Sequence, residues 1–264
     1  MQVHKAGDDS SQGLRKRKKL RRSIYLLPSI FTVGNIFAGF FAVISTFHGD
    51  YGPAAVAIGI AIVLDGLDGR IARLAGATSD FGVQLDSLAD VISFGLAPAV
   101  LIYSWGLEDL GNFARLAAFV FLICGAMRLA RFNIQVGELR HFAGLPIPAG
   151  AGMIAATVHL FGDPIDSVVF KYALISMVYL VGLLMISTIR YPSLKHFNLT
   201  RGKSHLNVLD LALIFGGVIR YSQHFLMIVA TVYVSSGLVV RVYRLVRSPI
   251  KQSDKYAAKR AELD

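Results

Sequence analysis

Apolar stretches long enough to cross a bilayer recur from one end of this chain to the other, at about 25–47, 53–75, 84–105, 113–131, 146–162, 168–189, 206–219 and 224–246. A lipid solvent leaves a backbone few options. Every peptide group within it must be satisfied internally, so helices of this apolar length are read as spans of an all-α, polytopic transmembrane bundle. The reading is about eight spans. The seventh is the shortest, running only from Leu206 to Ile219 and carrying Asp210. Composition agrees, with 54% hydrophobic residues and a mean hydropathy of +0.55. The first apolar run is long, starts late and lacks a small-residue cleavage site, so it reads as a span and not as a signal peptide.

The cations fix an orientation. Of the 27 Lys and Arg residues, eight lie in the N-terminal tail, two in 70–83, three in 128–145, four in 190–205 and seven near the C-terminus. These are alternate loops of an eight-span chain. The intervening loops hold Asp50, Glu108, Asp109, Asp163 and Asp166 instead, and only Arg115, Lys171 and Arg220 depart from the pattern. The positive-inside rule then places both termini in the cytoplasm and the chain in the cytoplasmic (inner) membrane. Segment Arg15–Arg22 resembles a nucleic-acid patch in isolation. Set directly before a span, it reads as a cytoplasmic anchor that attracts anionic lipid headgroups, and no nucleic-acid partner is expected. The single cysteine, Cys124, rules out a disulfide framework and a thiolate zinc site.

Ionisable groups inside spans cost about 2.5–3.5 kcal/mol each on insertion scales, so a cluster of them marks a function. Here the stretch reads Asp65-Gly66-Leu67-Asp68-Gly69-Arg70-Ile71-Ala72-Arg73, then eight residues, then Gly82-Val83-Gln84-Leu85-Asp86-Ser87-Leu88-Ala89-Asp90. Asp65 and Asp68 are three apart, Asp86 and Asp90 four apart, so each pair shares a helix face. A short connection makes the two helices antiparallel neighbours, with all four acids towards the cytoplasmic end. Four carboxylates in one pocket repel unless cations neutralise them. Oxygen ligands without nearby His or Cys favour Mg²⁺, Mn²⁺ or Ca²⁺ over zinc, and a pair of such ions would clamp a pyrophosphate. Gly66, Gly69 and Ala72 leave part of the same helix without bulk, where a flat ligand can lie; close packing between helices is the competing use of such positions.

The pattern D-x-x-D-G-x-x-A-R, eight residues, G-x-x-x-D-x-x-x-D resembles the signature of the CDP-alcohol phosphotransferase family at every position. That resemblance implies that Asp65, Asp68, Asp86 and Asp90 hold two divalent ions, Mg²⁺ or Mn²⁺. It implies that Gly69, Ala72 and Arg73, with Asp68 and Gly82, lie against the CDP moiety and its phosphates, and that Asp90 is also the general base. It further implies a six-helix core, extended here by two C-terminal helices, and a homodimer. The chain then divides into a basic segment 1–23, a catalytic core 24–190, an added hairpin 191–248 and a tail 249–264.

Further stretches narrow the acceptor by resemblance: Pro28-Ser29-Ile30-Phe31-Thr32-Val33-Gly34-Asn35, Ser93-Phe94-Gly95-Leu96-Ala97-Pro98, Arg128-Leu129-Ala130-Arg131-Phe132-Asn133 and Gly144-Leu145-Pro146-Ile147-Pro148-Ala149-Gly150. They are similar to the membrane-bound members of the family that join CDP-diacylglycerol to L-serine. Serine carries a carboxylate, so its site needs a cation. Arg128 or Arg131, at the level of the acids, fits a carboxylate clamp, with Asn133 adding a hydrogen bond; a positive-inside anchor is the alternative role. Thr32 and Asn35 are read as nucleotide contacts or as helix-to-helix hydrogen bonds. Two other readings stand beside this one: the same chemistry on glycerol 3-phosphate, inositol phosphate or choline, and a transporter whose acids bind a permeating cation.

Overall fold

The structure is a computed structural model that describes residues 30–75, 80–134, 144–189, 191, 223–237 and 239–241, with backbone only at 72–75 and 80. Among the described residues every regular element is helical. Helix α1 spans Ile30–Phe47, α2 Tyr51–Ala75, α3 Asp80–Asp90, α4 Ala97–Ile102, α5 Gly111–Ile134, α6 Ile147–Phe161, α7 Val168–Ile186 and α8 Gln223–Arg241. The described helices fall within a few residues of the expected spans, α3 and α4 together answering to 84–105, while the expected span 206–219, residues 25–29 and 242–246 of the first and last spans, and the two tails lie outside the described residues. Among the described residues four stretches are apolar and long enough to cross a membrane: Ile30–Phe47, Phe81–Ile134, Val168–Ile186 and Gln223–Arg241. Helix α2, at 25 residues, reaches about 37 Å.

The 54-residue stretch Phe81–Ile134 folds back on itself at Gly111. Its φ of 60° and ψ of −130° belong to a region that side chains with a Cβ avoid, and only glycine enters it without strain. Before that turn the helix changes pitch. Residues Val91–Leu96 and Tyr103–Leu107 are π-helical, flanking α4. Pro98 supplies a physical reason for the first change, because it has no N–H for the carbonyl four residues back and its ring crowds the preceding turn. The ladder there runs five residues instead, with the Ala97 amide donating to the Ile92 carbonyl.

Helix α2 lies along α6, and α5 along α7. Small side chains help the approach, with Ala54 and Ala61 of α2 and Ala151 and Ala155 of α6 buried, and Ile58, Ile154 and Val158 fill the space between them. Outside, the pattern inverts. Val33, Phe37, Phe40, Phe41, Ile44 and Phe47 of α1 are exposed, an arrangement suited to hydrocarbon and hostile to water.

Two ends of the bundle differ in chemistry. At one end the expected acidic loops come together: Tyr51 Oη donates to the Ser104 carbonyl at 3.2 Å, Trp105 Nε1 donates to the Gly162 carbonyl at 2.8 Å, and Lys171 Nζ sits 2.6 Å from Asp109 and 3.4 Å from Asp166. Trp105, Phe161 and Phe170 pack edge to face or tilted around that point, so Trp105 is a packing residue. The other end carries Asp65, Asp68, Asp86 and Asp90.

There, Gly144 closes the bundle. Its φ is +91°, a Cβ on it would stand 2.2 Å from the Met185 carbonyl oxygen, and its amide donates to the Ile189 carbonyl at 2.8 Å. Leu145 follows, donating to the Leu184 carbonyl at 2.9 Å. The chain then enters α6 through Pro146 and Pro148, whose fixed φ suits a helix start.

Candidate active site

Helical spacing brings three of the four acids together. Asp65 projects from α2, and Asp86 and Asp90 from one face of α3, so that one carboxylate oxygen from each lies within 4.8 Å of the others. At an effective dielectric of about 20, each pair of charges so close repels by roughly 3 kcal/mol. A cluster built this way needs positive charge. One oxygen of Asp90, Oδ1, is buried and has no hydrogen-bond partner among the described residues. An orphaned buried carboxylate oxygen inside an all-oxygen donor set fits a hard divalent cation, and this Asp cluster can bind one.

Asp68 stands slightly apart from the other three. It is 5% exposed, and its Oδ2 accepts a hydrogen bond from the Thr32 hydroxyl of α1. Its charge still reaches Asp65 and Asp86. The structure thus draws three of the four expected ligands into one tight group and holds the fourth beside it through α1.

Helix α1 is fastened to the site by close contact. A Cβ on Gly39 would meet Ser93 Oγ at 2.4 Å, so a hydrogen is the only side chain that fits between α1 and the π-helical turn after Asp90. Ser93 Oγ donates to the Asn35 carbonyl at 2.8 Å. The Asn35 side chain is 1% exposed, and both its amide nitrogen and its oxygen lack partners among the described residues. Two donor and two acceptor directions left open on a buried amide suit a polar ligand edge.

Helix α5 supplies the cations. Arg128 is largely withdrawn from solvent, feels the charge of Asp90, and keeps its Nε buried without a hydrogen-bond partner among the described residues. Arg131, one turn on, is exposed and donates from Nη1 to the Ile186 carbonyl at 3.3 Å, which caps the end of α7. Asn133 donates from Nδ2 to Ser87 Oγ at 2.9 Å, tying α5 to α3 between Asp86 and Asp90. Gly69 lies on α2 one residue past Asp68, and Gly82 in the first turn of α3. The side chains of Ala72 and Arg73 lie outside the described residues.

Sequence reading missed three participants. Ser93 is recognisable only once the π-helical turn is known, Ser87 is one hydroxyl among many, and Tyr233 is brought near Arg128 by an α8 whose placement no local pattern encodes.

Comparison with known proteins supplies the remaining fact. Residues 25–189 match the CDP-alcohol phosphatidyltransferase model. The chain belongs to this family. All four acids and every glycine discussed above, from Gly34 to Gly162, lie within the matched residues. Among its relatives, the CDP-diacylglycerol–serine O-phosphatidyltransferase of Helicobacter pylori (strain ATCC 700392 / 26695) is 38% identical over 199 residues, 73% of this chain and 80% of that protein. The protein of the same name from Methanocaldococcus jannaschii is 35% identical over 219 residues, 83% of this chain and 95% of the other. An archaetidylserine synthase of Methanothermobacter thermautotrophicus is 36% identical over 175 residues, 64% and 71% of the two chains.

Proposed function

We propose that this CDP-alcohol phosphatidyltransferase transfers the phosphatidyl group of CDP-diacylglycerol to the hydroxyl of L-serine, giving phosphatidylserine and CMP. One observation carries the reading: three carboxylates of α2 and α3 within 4.8 Å of one another, with an orphaned oxygen on Asp90 and the unpartnered guanidinium Nε of Arg128 nearby. The names of its relatives support the donor and the acceptor.

In this mechanism Asp65, Asp86 and Asp90, with Asp68 beside them, would hold two Mg²⁺ or Mn²⁺ ions. When bound, the metal supplies charge that stabilises the pyrophosphate oxygens and the departing CMP. The chain's own residues do the rest. Gly69, Ala72 and Gly82 leave room for the nucleotide, Arg73 gives donors to phosphate oxygens, and Asn35 and Thr32 offer polar atoms at its edge. Arg128 takes the serine carboxylate, which sets a short acceptor between it and Asp90. Asp90 accepts the hydroxyl proton as the serine oxygen bonds to the phosphatidyl phosphorus, while the bond from that phosphorus to the oxygen of CMP breaks.

Arg128 carries the acceptor role better than Arg131, whose guanidinium is already engaged at the end of α7. Asn133 supports α3 through Ser87 and reaches the acceptor only from that position. The positive-inside pattern supports a site at the cytoplasmic face of the inner membrane with both termini on that side, eight spans, and a catalytic core at 24–190 followed by an added hairpin 191–248 and a tail. The family match over 25–189 agrees with that core, and family resemblance supports a homodimer. A cation transporter is disfavoured because the acids gather at one end of the bundle and trace no route through it.

The test is an acceptor panel on purified protein with CDP-diacylglycerol and Mg²⁺ or Mn²⁺. Serine is expected to yield phosphatidylserine and CMP. Turnover with glycerol 3-phosphate, inositol phosphate or choline but not with serine would overturn the assignment.

A further inference from the structure

Asp90 is the last residue of α3, and the chain runs from it straight into the π-helical turn Val91–Leu96. Two hydroxyls flank it in sequence, Ser87 on one side and Ser93 on the other, and each joins a different neighbouring helix. Ser87 Oγ accepts from Asn133 Nδ2 of α5 at 2.9 Å and donates to the Val83 carbonyl at 3.0 Å. Ser93 is fully buried, and its Oγ donates to the Asn35 carbonyl of α1 at 2.8 Å. The backbones meet there as well, since a Cβ on Gly39 of α1 would stand 2.7 Å from Ser93 Cα.

The turn between these ties decides which way the helix faces. Leu88 and Leu96 are exposed and Ile92 and Val100 half-buried, so an outward row repeats every four residues. In a regular α-helix of 3.6 residues per turn that row would drift by about 40° per step, about 120° from Leu88 to Val100. Bonds to the fifth residue back put an extra residue into the turn and undo much of that drift. Asp86 and Asp90 therefore face the acidic cluster while Ala97, Ala99 and Leu101, farther along the same helix, are buried in the core.

Asp90 needs such a frame. One of its oxygens lies within 4.8 Å of oxygens of Asp65 and Asp86, so like charges push it outward, and its buried Oδ1 has no hydrogen-bond partner among the described residues to hold it. A misplacement of 1 Å at a reacting group can cost about 10²-fold in rate. Both serine hydroxyl protons already go to backbone carbonyls, which suits them to holding structure and not substrate.

We infer that Ser87 and Ser93 are paired positioning residues: through α5 on one side and α1 on the other they hold the backbone before and after Asp90, so that its carboxylate stays where it takes the acceptor proton. The inference rests on the proposed use of Asp90 as general base and adds what keeps that base in place.

Its test is a double-mutant cycle on the full chain in detergent or nanodiscs, reading CMP release at saturating Mn²⁺, with KM measured separately for L-serine and CDP-diacylglycerol. Ser93→Ala is expected to lower kcat by about ten- to a hundredfold and Ser87→Ala by about three- to tenfold, both KM values staying within about twofold of the unaltered chain. Ser93→Cys keeps the size and a weak donor and should retain more turnover than Ser93→Ala; with Ser87→Ala it carries the test if Ser93→Ala does not fold. In an Asp90→Asn background neither serine substitution should lower the residual turnover further, because the group they position is gone. The same fractional loss with and without Asp90, an unchanged kcat in the single variants, or a raised serine KM with kcat intact would each overturn the inference. Full turnover in Asp90→Asn alone would instead remove Asp90 as the base, and the positioning role with it.

Discussion

The Thr32 hydroxyl of α1 donates to Oδ2 of Asp68 on α2, across 36 positions of sequence. That bond ties the first helix to the acidic cluster and occupies one of the carboxylate's oxygens in a fixed direction. A hydrogen bond to a charged group is worth about 1.5–3 kcal/mol, and leaving the charge unsatisfied costs a similar amount.

Thr32→Val should therefore lower CMP release at limiting metal by roughly one to two orders of magnitude, and Thr32→Ser should restore most of it. Initial rates across an Mg²⁺ titration measure this. Equal rates in the unaltered protein and Thr32→Val at every Mg²⁺ concentration would show that the bond is idle in catalysis.

Asp90→Asn should lose turnover by about 10²- to 10⁴-fold, the usual contribution of a positioned general base. Binding of CDP-diacylglycerol, followed by equilibrium displacement, should fall far less. Retained turnover in this variant would move the base elsewhere.

The two arginines of α5 should separate in kinetics. Arg128→Gln is expected to raise the serine KM by tenfold or more, because it removes the charged partner of the acceptor carboxylate. Arg131→Gln loses one bond at an exposed helix end, worth at most about 1 kcal/mol, and should shift stability slightly with the serine KM near that of the unaltered chain. Reversed effects would assign the clamp to Arg131.

Gly144→Ala tests the closure of the site end. The new Cβ would meet the Met185 carbonyl oxygen at 2.2 Å in a left-handed backbone that alanine disfavours, so both strain and overlap act. A loss of roughly 1–3 kcal/mol is expected, read as a lower thermal midpoint in detergent. Gly66→Ala, where the nearest 4 Å around a Cβ hold nothing, is the contrasting substitution and should not lower the midpoint, with a helix-propensity gain of up to about 1 kcal/mol.

Much of this architecture was legible in the chain because its determinants are local. Apolar length marks helices such as 30–47 and 168–186, and spacings of three and four put Asp65 with Asp68 and Asp86 with Asp90 on common faces. Pro98 was visible as well, though its effect on helix pitch depends on how the freed Phe94 carbonyl is accommodated in the packed bundle. Pairings between distant helices were not legible. Thr32 with Asp68, Asn133 with Ser87 and Tyr191 with Tyr233 depend on which faces of α1, α5 and α8 turn inward, and near-uniform apolarity around membrane helices hides that choice. For the same reason Arg128 and Arg131 looked equivalent until their surroundings separated them.

Binding of Mn²⁺ to chelator-stripped protein, followed by electron paramagnetic resonance, is the most direct probe of a metal centre shared by α2 and α3. The unaltered chain should take up Mn²⁺ and broaden its free-ion signal, and Asp65→Asn and Asp86→Asn, from opposite helices, should each lose most of that uptake. Uptake by both variants equal to that of the unaltered chain would contradict a shared carboxylate centre.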